Sequence, residues 1–294
     1  MKVKANGVSI EVESHGSASG EPLLLIMGLG MQLVAWHEDF VASLVERGFR
    51  VIRFDNRDIG LSQQFDHLGV PHLGVGAVRF ALGLRVQSGY SLADMAEDSV
   101  GVLDALGIDK AHVCGASMGG MIAQRIAVRH PQRVKSLTLM MTSSGARKLP
   151  GPALKVRAAL LGRPRDPTQI DSVVAYYVNF FKLIGSPAFP TDDETMNRVL
   201  QATVRRSYRP RGTARQLLAI AADGDRSSLL PGIRVPTQII HGNSDPLVPV
   251  AAGHDLAAKI AGARIDLIDG MGHDLPLALW PRFVSNIAEV AARA

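Results

Sequence analysis

A single cysteine, Cys114, stands in 294 residues. One thiol cannot close an intramolecular disulfide, and there is no cysteine cluster to hold zinc. Between Val113 and Gly115, Cys114 reads as a small hydrophobe on a buried strand rather than a reactive thiol. An apolar run of membrane-spanning length is also missing; the greasiest stretches, such as Leu23 to Met27, have the length of buried strands. The start, Met1-Lys2-Val3-Lys4-Ala5-Asn6-Gly7, carries a little positive charge with no apolar segment behind it, which argues against a secretory signal. Aromatic residues are only 5% of the chain and no nucleic-acid-binding motif is recognisable. Together these absences lead us to expect a soluble, cytoplasmic protein with neither a membrane nor a nucleic acid as partner. They leave the oligomeric state open.

What is present suits a globular enzyme. Hydrophobic residues make up 47% and charged residues 20%, enough apolar material to offset the entropy of ordering a large core. The net charge of +5 is unevenly spread: residues 146–230 hold 14 Lys and Arg against 7 Asp and Glu, so this middle segment carries all the excess. A solvated basic surface is the plain reading, and attraction of acidic ligands the sharper one.

The flanking parts alternate strand-like and helix-like segments. Val3 to Glu13 predicts a hairpin turning at Asn6-Gly7. Pro22 to Met27 is a continuous apolar run, as in a strand covered on both faces. Helical periodicity follows over Trp36 to Arg47, then a strand over Arg50 to Phe54. Ser91-Leu92-Ala93-Asp94 predicts a helix start, with a stop at Gly107. Strands are expected over His112 to Cys114 and Val134 to Met141, with a helix between them over Met118 to Arg129. The alternation breaks after Ser144, where Pro150, Pro152, Pro164 and Pro167 punctuate helical stretches at Ile170 to Lys182 and Asp193 to Arg206. It resumes with a strand at Thr237 to Ile240, a helix at Ala251 to Ile260, a strand at Arg264 to Ile268 and a last helix after Pro281. This pattern predicts an α/β core with a mostly parallel sheet, formed by residues 1–145 and 231–294 and interrupted by a helical insertion, a cap, over residues 146–230.

The sharpest chemical signal is Gly115-Ala116-Ser117-Met118-Gly119, followed by Gly120. It matches the G-x-S-x-G nucleophile elbow and sits where that motif needs to sit, between a strand and a helix. The turn must push the serine hydroxyl clear of the sheet, and small flanking residues keep side chains from colliding with neighbouring backbone. A hydroxyl is a weak nucleophile at neutral pH and needs a base. Of the histidines that follow Ser117, His130 closes a helix before Pro131 and His254 lies on a helical stretch. His273, in Gly270-Met271-Gly272-His273, follows a strand at the edge where such sheets place function. An acid must orient the imidazole. Asp245, in His241-Gly242-Asn243-Ser244-Asp245-Pro246, follows another strand, whereas Asp269 and Asp274 lie too close in sequence to His273 to face it from another loop. The oxyanion of an acyl-transfer intermediate needs two backbone donors, for which we select the N–H of Met118 and that of Leu29 in Met27-Gly28-Leu29-Gly30-Met31.

With these pieces in place, and with Asp55-Asn56-Arg57-Asp58-Ile59-Gly60-Leu61-Ser62 and Asp245-Pro246-Leu247-Val248-Pro249, the chain resembles the α/β-hydrolase superfamily along nearly its whole length. Within it the chain is similar to bacterial carboxylesterases and the aclacinomycin methylesterase-like group. The resemblance implies a core sheet of about eight strands and a helical cap over the site. It also strengthens Asp245, because the other loop where related enzymes keep the acid reads Thr142-Ser143-Ser144-Gly145 and contains none. Two positions depart from many relatives: Met27 where His is common before Gly28, and Asp58 where Gly is common. The Asp55 to Ser62 stretch is expected to brace the oxyanion loop. The function so implied is hydrolysis of a small-molecule carboxylic ester through Ser117, His273 and Asp245, with no cofactor and no metal. C–C bond hydrolysis, lactone opening and peracid formation use the same three groups, and a silent ligand receptor can share the fold. A dehalogenase or epoxide hydrolase is disfavoured, since those relatives use an aspartate where Ser117 stands. Tyr176, Tyr177, Phe180, Phe181 and Trp36 are candidates for a pocket wall, although such a stripe is more often plain packing.

Overall fold

A computed structural model describes all 294 residues. The chain opens with β1 (Lys2–Ala5), β2 (Val8–His15) and β3 (Glu21–Ile26), then α1 (Glu38–Glu46), β4 (Phe49–Phe54), α2 (Leu73–Ala81) and α3 (Leu92–Ala105). It continues through β5 (Ala111–Ala116), α4 (Met118–Arg129) and β6 (Val134–Met140). Four helices follow without a strand: α5 (Leu154–Leu160), α6 (Ile170–Ile184), α7 (Asp193–Arg206) and α8 (Pro210–Asp223). Then come β7 (Thr237–Gly242), α9 (Ala251–Lys259), β8 (Arg264–Ile268) and α10 (Trp280–Ala291). No helix is long and apolar enough to cross a membrane.

The eight strands form one sheet in the order β1-β2-β4-β3-β5-β6-β7-β8. The first two pairings, β1 with β2 and β2 with β4, are antiparallel, and every later pairing is parallel. The first hairpin turns at Asn6 and Gly7 with φ of 48° and 76°, the doubly left-handed backbone that Asn-Gly adopts at little cost. Side-chain alternation divides the core. Leu24 and Ile26 of β3 face α3 and α4, together with Ile52, Val113 and Leu139. Leu23 and Leu25 face the other way and pack with α1 and α10, together with Val51, Cys114 and Met140. Helices thus cover both faces, which is why the central strands read as unbroken apolar runs. Cys114 is wholly buried, and burial pushes its thiol up far beyond the ordinary range.

The chain leaves β3 for β4 on one side and returns to β5 on the other, so the strand order reverses between β3 and β5. Crevices at such reversals, outside the carboxyl ends of the strands, are where open α/β sheets place ligands. Ile26 pairs with Gly115 at that edge, so the Met27 to Met31 loop after β3 and the turn at Ser117 after β5 start side by side.

Several local expectations are corrected. The first long helix begins at Glu38, with the His37 side chain accepting from the Asp39 N–H, and not at Trp36. Trp36 is wholly buried against Phe40, with ring centroids 5.7 Å apart, and is part of the core rather than of a pocket wall. Helices α2, α5 and α8 were not legible in the periodicity. The first has Gly76 as its only buried residue, and α8 takes its place from buried polar contacts rather than from an apolar stripe.

Candidate active site

Ser117 sits between the end of β5 and the start of α4 at φ 54° and ψ −118°, a backbone conformation that costs a non-glycine residue about 1–3 kcal/mol. The turn is held by the Ser117 N–H donating to the Met140 carbonyl at 2.9 Å and by the Thr142 hydroxyl donating to the Ser117 carbonyl at 2.7 Å. Glycine is required close by: a Cβ on Gly119 would lie 2.0 Å from the Ile26 carbonyl oxygen, so only a bare backbone lets α4 start against β3.

His273 follows β8 and is buried. Its Nε2 lies 3.0 Å from Ser117 Oγ, and its Nδ1 lies 2.7 Å from Asp245 Oδ2. A carboxylate can only accept, so Nδ1 donates to Asp245, and Nε2 is left as an acceptor for the serine hydroxyl. Asp245 is fixed from its other oxygen, which accepts the N–H groups of Leu247 at 2.9 Å and Val248 at 2.7 Å. His241, wholly buried, donates from Nε2 to the Val248 carbonyl at 2.8 Å and so supports the same loop; its Nδ1 has no partner. Burial holds the His241 imidazole below the usual histidine range.

The two selected backbone donors flank Ser117. Met118 is the first residue of α4, where N–H groups have no partner inside the helix. The Leu29 N–H makes no hydrogen bond within the protein. The Met27 to Met31 loop lies against the serine: a Cβ on Gly28 would stand 3.2 Å from Ser117 Cβ. Its bracing comes from the Asp55 to Ser62 stretch. Asn56 Nδ2 donates to the Met27 carbonyl at 2.9 Å. Asp55 Oδ1 accepts from the Leu33 N–H at 2.7 Å, and Asp55 Oδ2 from the Leu61 N–H at 2.8 Å.

The helices between β6 and β7 grip each of these loops. The His273 N–H donates to the Ile184 carbonyl at the end of α6, at 2.7 Å, and the Gly272 N–H donates to Ser186 Oγ at 2.9 Å. Ser186 also donates to Asp274, whose carboxyl burial pushes up. Arg206 of α7 reaches Asp55 Oδ2 at 2.8 Å. Arg215 of α8 makes a two-pronged pair with Asp58, at 2.6 and 2.7 Å. This gives the unusual Asp58 a reason. It occupies a left-handed position, φ 73°, where glycine is at home, but its carboxylate anchors α8. Ser186, Arg206, Arg215 and Gln216, which bonds Gly30 and Arg57, were all missed in the sequence, where nothing marks them as partners of residues 86 to 186 positions away.

The basic excess of the middle segment is thereby partly spent inside the molecule. Arg206 and Arg215 pair with Asp55 and Asp58 outside the segment, whereas buried Arg226 pairs with Asp223 inside it. A small cavity of about 30 Å³ lies beyond the Met27 to Met31 loop, between Gly30, Met31 and Ile59 on one side and Tyr177, Phe181 and Tyr208 on the other, with Arg209 its one charged lining residue; Ser117 and His273 do not line it. Tyr177 and Phe181 line this cavity, while the Tyr176 hydroxyl donates to the Ala159 carbonyl at 2.8 Å.

An alpha/beta hydrolase fold family profile matches residues 21–277. The chain is 31% identical to rhodomycin D methylesterase DauP of Streptomyces sp. (strain C5), over 92% of this chain and 91% of that protein. It is 27% identical to a 2-hydroxymuconate semialdehyde hydrolase of Pseudomonas sp. (strain CF600), over 97% and 92%. Its fold matches the meta-cleavage product hydrolase of Pseudomonas fluorescens IP01 with a TM-score of 0.77 at 20% identity, covering 100% of this chain and 97% of that one. With a profile match across most of its length, an eight-stranded sheet of the expected order of alternation and methylesterase relatives, this chain is a hydrolase that belongs to the α/β-hydrolase family.

Proposed function

We propose that the protein hydrolyses a small-molecule carboxylic ester, with Ser117 as nucleophile, His273 as general base and acid, and Asp245 as the group that orients His273. The observation that carries this reading is His273 bridging Ser117 Oγ and Asp245 Oδ2 at 3.0 and 2.7 Å. The relation to methylesterases supports the ester as the bond attacked. As Ser117 Oγ bonds to the carbonyl carbon, its proton passes to His273 Nε2, and the carbonyl oxygen, now negative, accepts from the Leu29 and Met118 N–H groups. The C–O bond breaks, His273 protonates the departing alcohol, and an acyl group stays on Ser117. Water, deprotonated by His273, then attacks the acyl carbon; the acid leaves and Ser117 regains its proton. The negative Asp245 favours the imidazolium present midway through each half. Beyond the ester and one water, the steps draw on side chains and backbone of this chain.

Residues 146–230 act in this reading as a cap, with residues 1–145 and 231–294 as the core. Hydrolysis of a C–C bond beside a ketone is the second reading, favoured by the relation to the 2-hydroxymuconate semialdehyde hydrolase. The test compares wild type with Ser117→Ala on p-nitrophenyl esters of increasing acyl length and on a 2-hydroxymuconate semialdehyde. Ester turnover that vanishes in the variant upholds the proposal. Turnover of the semialdehyde alone moves the assignment to C–C cleavage. A folded wild type inert to all of these, with Ser117 unlabelled by a fluorophosphonate, overturns both.

A further inference from the structure

The cap holds the segment after β3 at two places: Gln32 Nε2 donates to the Thr203 and Ser207 carbonyls at 2.8 and 2.7 Å, and the oxyanion loop itself is reached by Gln216. Gln216, on α8, is wholly buried. Its Oε1 accepts the Gly30 N–H at 2.9 Å, and its Nε2 donates to the Arg57 carbonyl at 2.9 Å. One amide thus joins the loop after β3 to the loop after β4, and only one orientation of the amide places its acceptor toward an N–H and its donor toward a carbonyl. Gly30 is the residue after Leu29, so the peptide plane that Gln216 holds is the one leaving Leu29. The rest of the α8 surface leaves the loop little room to drift. A Cβ on Gly30 would lie 2.8 Å from Thr213 Cγ2, and a Cβ on Gly212 would lie 2.0 Å from the Asp58 carbonyl oxygen. Arg215, next to Gln216, fixes the same turn of α8 on Asp58.

We infer that Gln216 is a positioning residue for ester hydrolysis: through Gly30 it sets the direction of the Leu29 N–H, so the donor geometry at Ser117 depends on where α8 sits. The inference rests on the proposed serine mechanism. Cap and catalytic centre are then mechanically joined, and a substrate that displaces α8 alters the donor as well as the pocket. The Leu29 N–H itself belongs to the preceding Gly28–Leu29 peptide, one Cα away, and backbone donors act through alignment with the developing oxyanion, so a small rotation passed on across Leu29 weakens catalysis more than it weakens binding.

The test is Gln216→Leu, which keeps the bulk and loses both hydrogen bonds, measured on an oxygen ester and on its thionoester counterpart. The sulfur of the thionoester accepts hydrogen bonds poorly, so a defect at the donor shows more strongly on the oxygen ester. The expected result is a fall in kcat of about 10–100-fold on the oxygen ester, part of the 10²–10³-fold typical of losing such a donor outright, with KM changed less than about threefold. The ratio of oxygen-ester to thionoester kcat/KM should fall by at least about fivefold. Gln216→Glu retains the acceptor facing Gly30, should lie between wild type and Gln216→Leu, and serves where the leucine variant does not fold. Arg211→Ala, on an exposed position of the same helix, should match wild type. Equal losses on the two substrates would mean a merely structural role and would overturn the inference, as would a folded Gln216→Leu with wild-type kcat. Loss of turnover in Gln216→Leu alongside an active Ser117→Ala would instead defeat the serine mechanism itself.

Discussion

Arg215 anchors α8 on Asp58 through a buried charge pair, and its removal should show this. Asp58 is fully buried and its carboxylate accepts from four donors: Arg215 Nε at 2.6 Å, Arg215 Nη2 at 2.7 Å, the Phe65 N–H at 3.0 Å and the Tyr90 hydroxyl at 3.0 Å. Arg215 Nη1 also supplies the Gly69 carbonyl at 2.7 Å. Arg215→Met keeps most of the stem but strands the aspartate with half its donors and no counter-charge. Breaking one side of a buried pair costs about 3–5 kcal/mol, a large share of the roughly 5–15 kcal/mol by which domains are stable. Asp58→Gly in addition removes the stranded charge and relieves the left-handed backbone at φ 73°. The double variant should therefore be more stable than Arg215→Met alone, with an interaction energy of about 2 kcal/mol or more. Urea unfolding followed by tryptophan emission from Trp36 and Trp280 measures all four corners of the cycle. An Arg215→Met variant within about 1 kcal/mol of wild type, or a double variant whose loss is the simple sum of the singles, would refute the account of α8 as anchored by charge.

Three further outcomes are expected. Asp245→Asn should keep the fold but lower kcat by about 10³–10⁴-fold, because the amide favours the wrong imidazole tautomer; a loss under tenfold on p-nitrophenyl acetate would contradict the role given to Asp245. Burial holds His241 below its ordinary pKa, so the unfolded chain binds the extra proton first: the stability His241 contributes is intact above about pH 6.5 and is lost as pH falls through the lower folded value. His112 is lowered in the same way by burial, so thermal midpoints should decline between pH 7 and pH 5, and His241→Gln, which can still donate to Val248, should decline less steeply than wild type; identical slopes would exclude His241 as a source. Ser117→Gly should be more stable than Ser117→Ala by about 1 kcal/mol, since relief of about 1–3 kcal/mol of backbone strain at φ 54° outweighs the roughly 0.5–1 kcal/mol entropy cost of glycine; a less stable glycine variant would show that the elbow is unstrained.

Much of the molecule was legible in the residues. Alternating apolar runs and capped helices specify local structure, and they foretold the α/β core, the Asn6-Gly7 hairpin and the Ser91 start of α3, whose Ser91 and Asp94 make the reciprocal cap. The motif around Ser117 announced itself because a strained strand-to-helix turn needs glycines at fixed spacing. What periodicity could not reach was anything settled by partners distant in sequence. Helix α8 lacks a clean apolar stripe because its buried side is polar, Arg215 and Gln216, and a polar stripe is indistinguishable in sequence from a solvated one until Asp58, Gly30 and Arg57 are brought against it. The basic surplus of residues 146–230 is ambiguous for the same reason, since Arg215 and Arg226 are buried and Arg206 is half-buried against Asp55, which a charge count in the sequence does not distinguish from free surface charge. Ser117, His273 and Asp245 could be nominated one by one, each after its own strand. Only the parallel register of β5 to β8, which sets the ends of those strands side by side, decides that a single imidazole can reach both of the others.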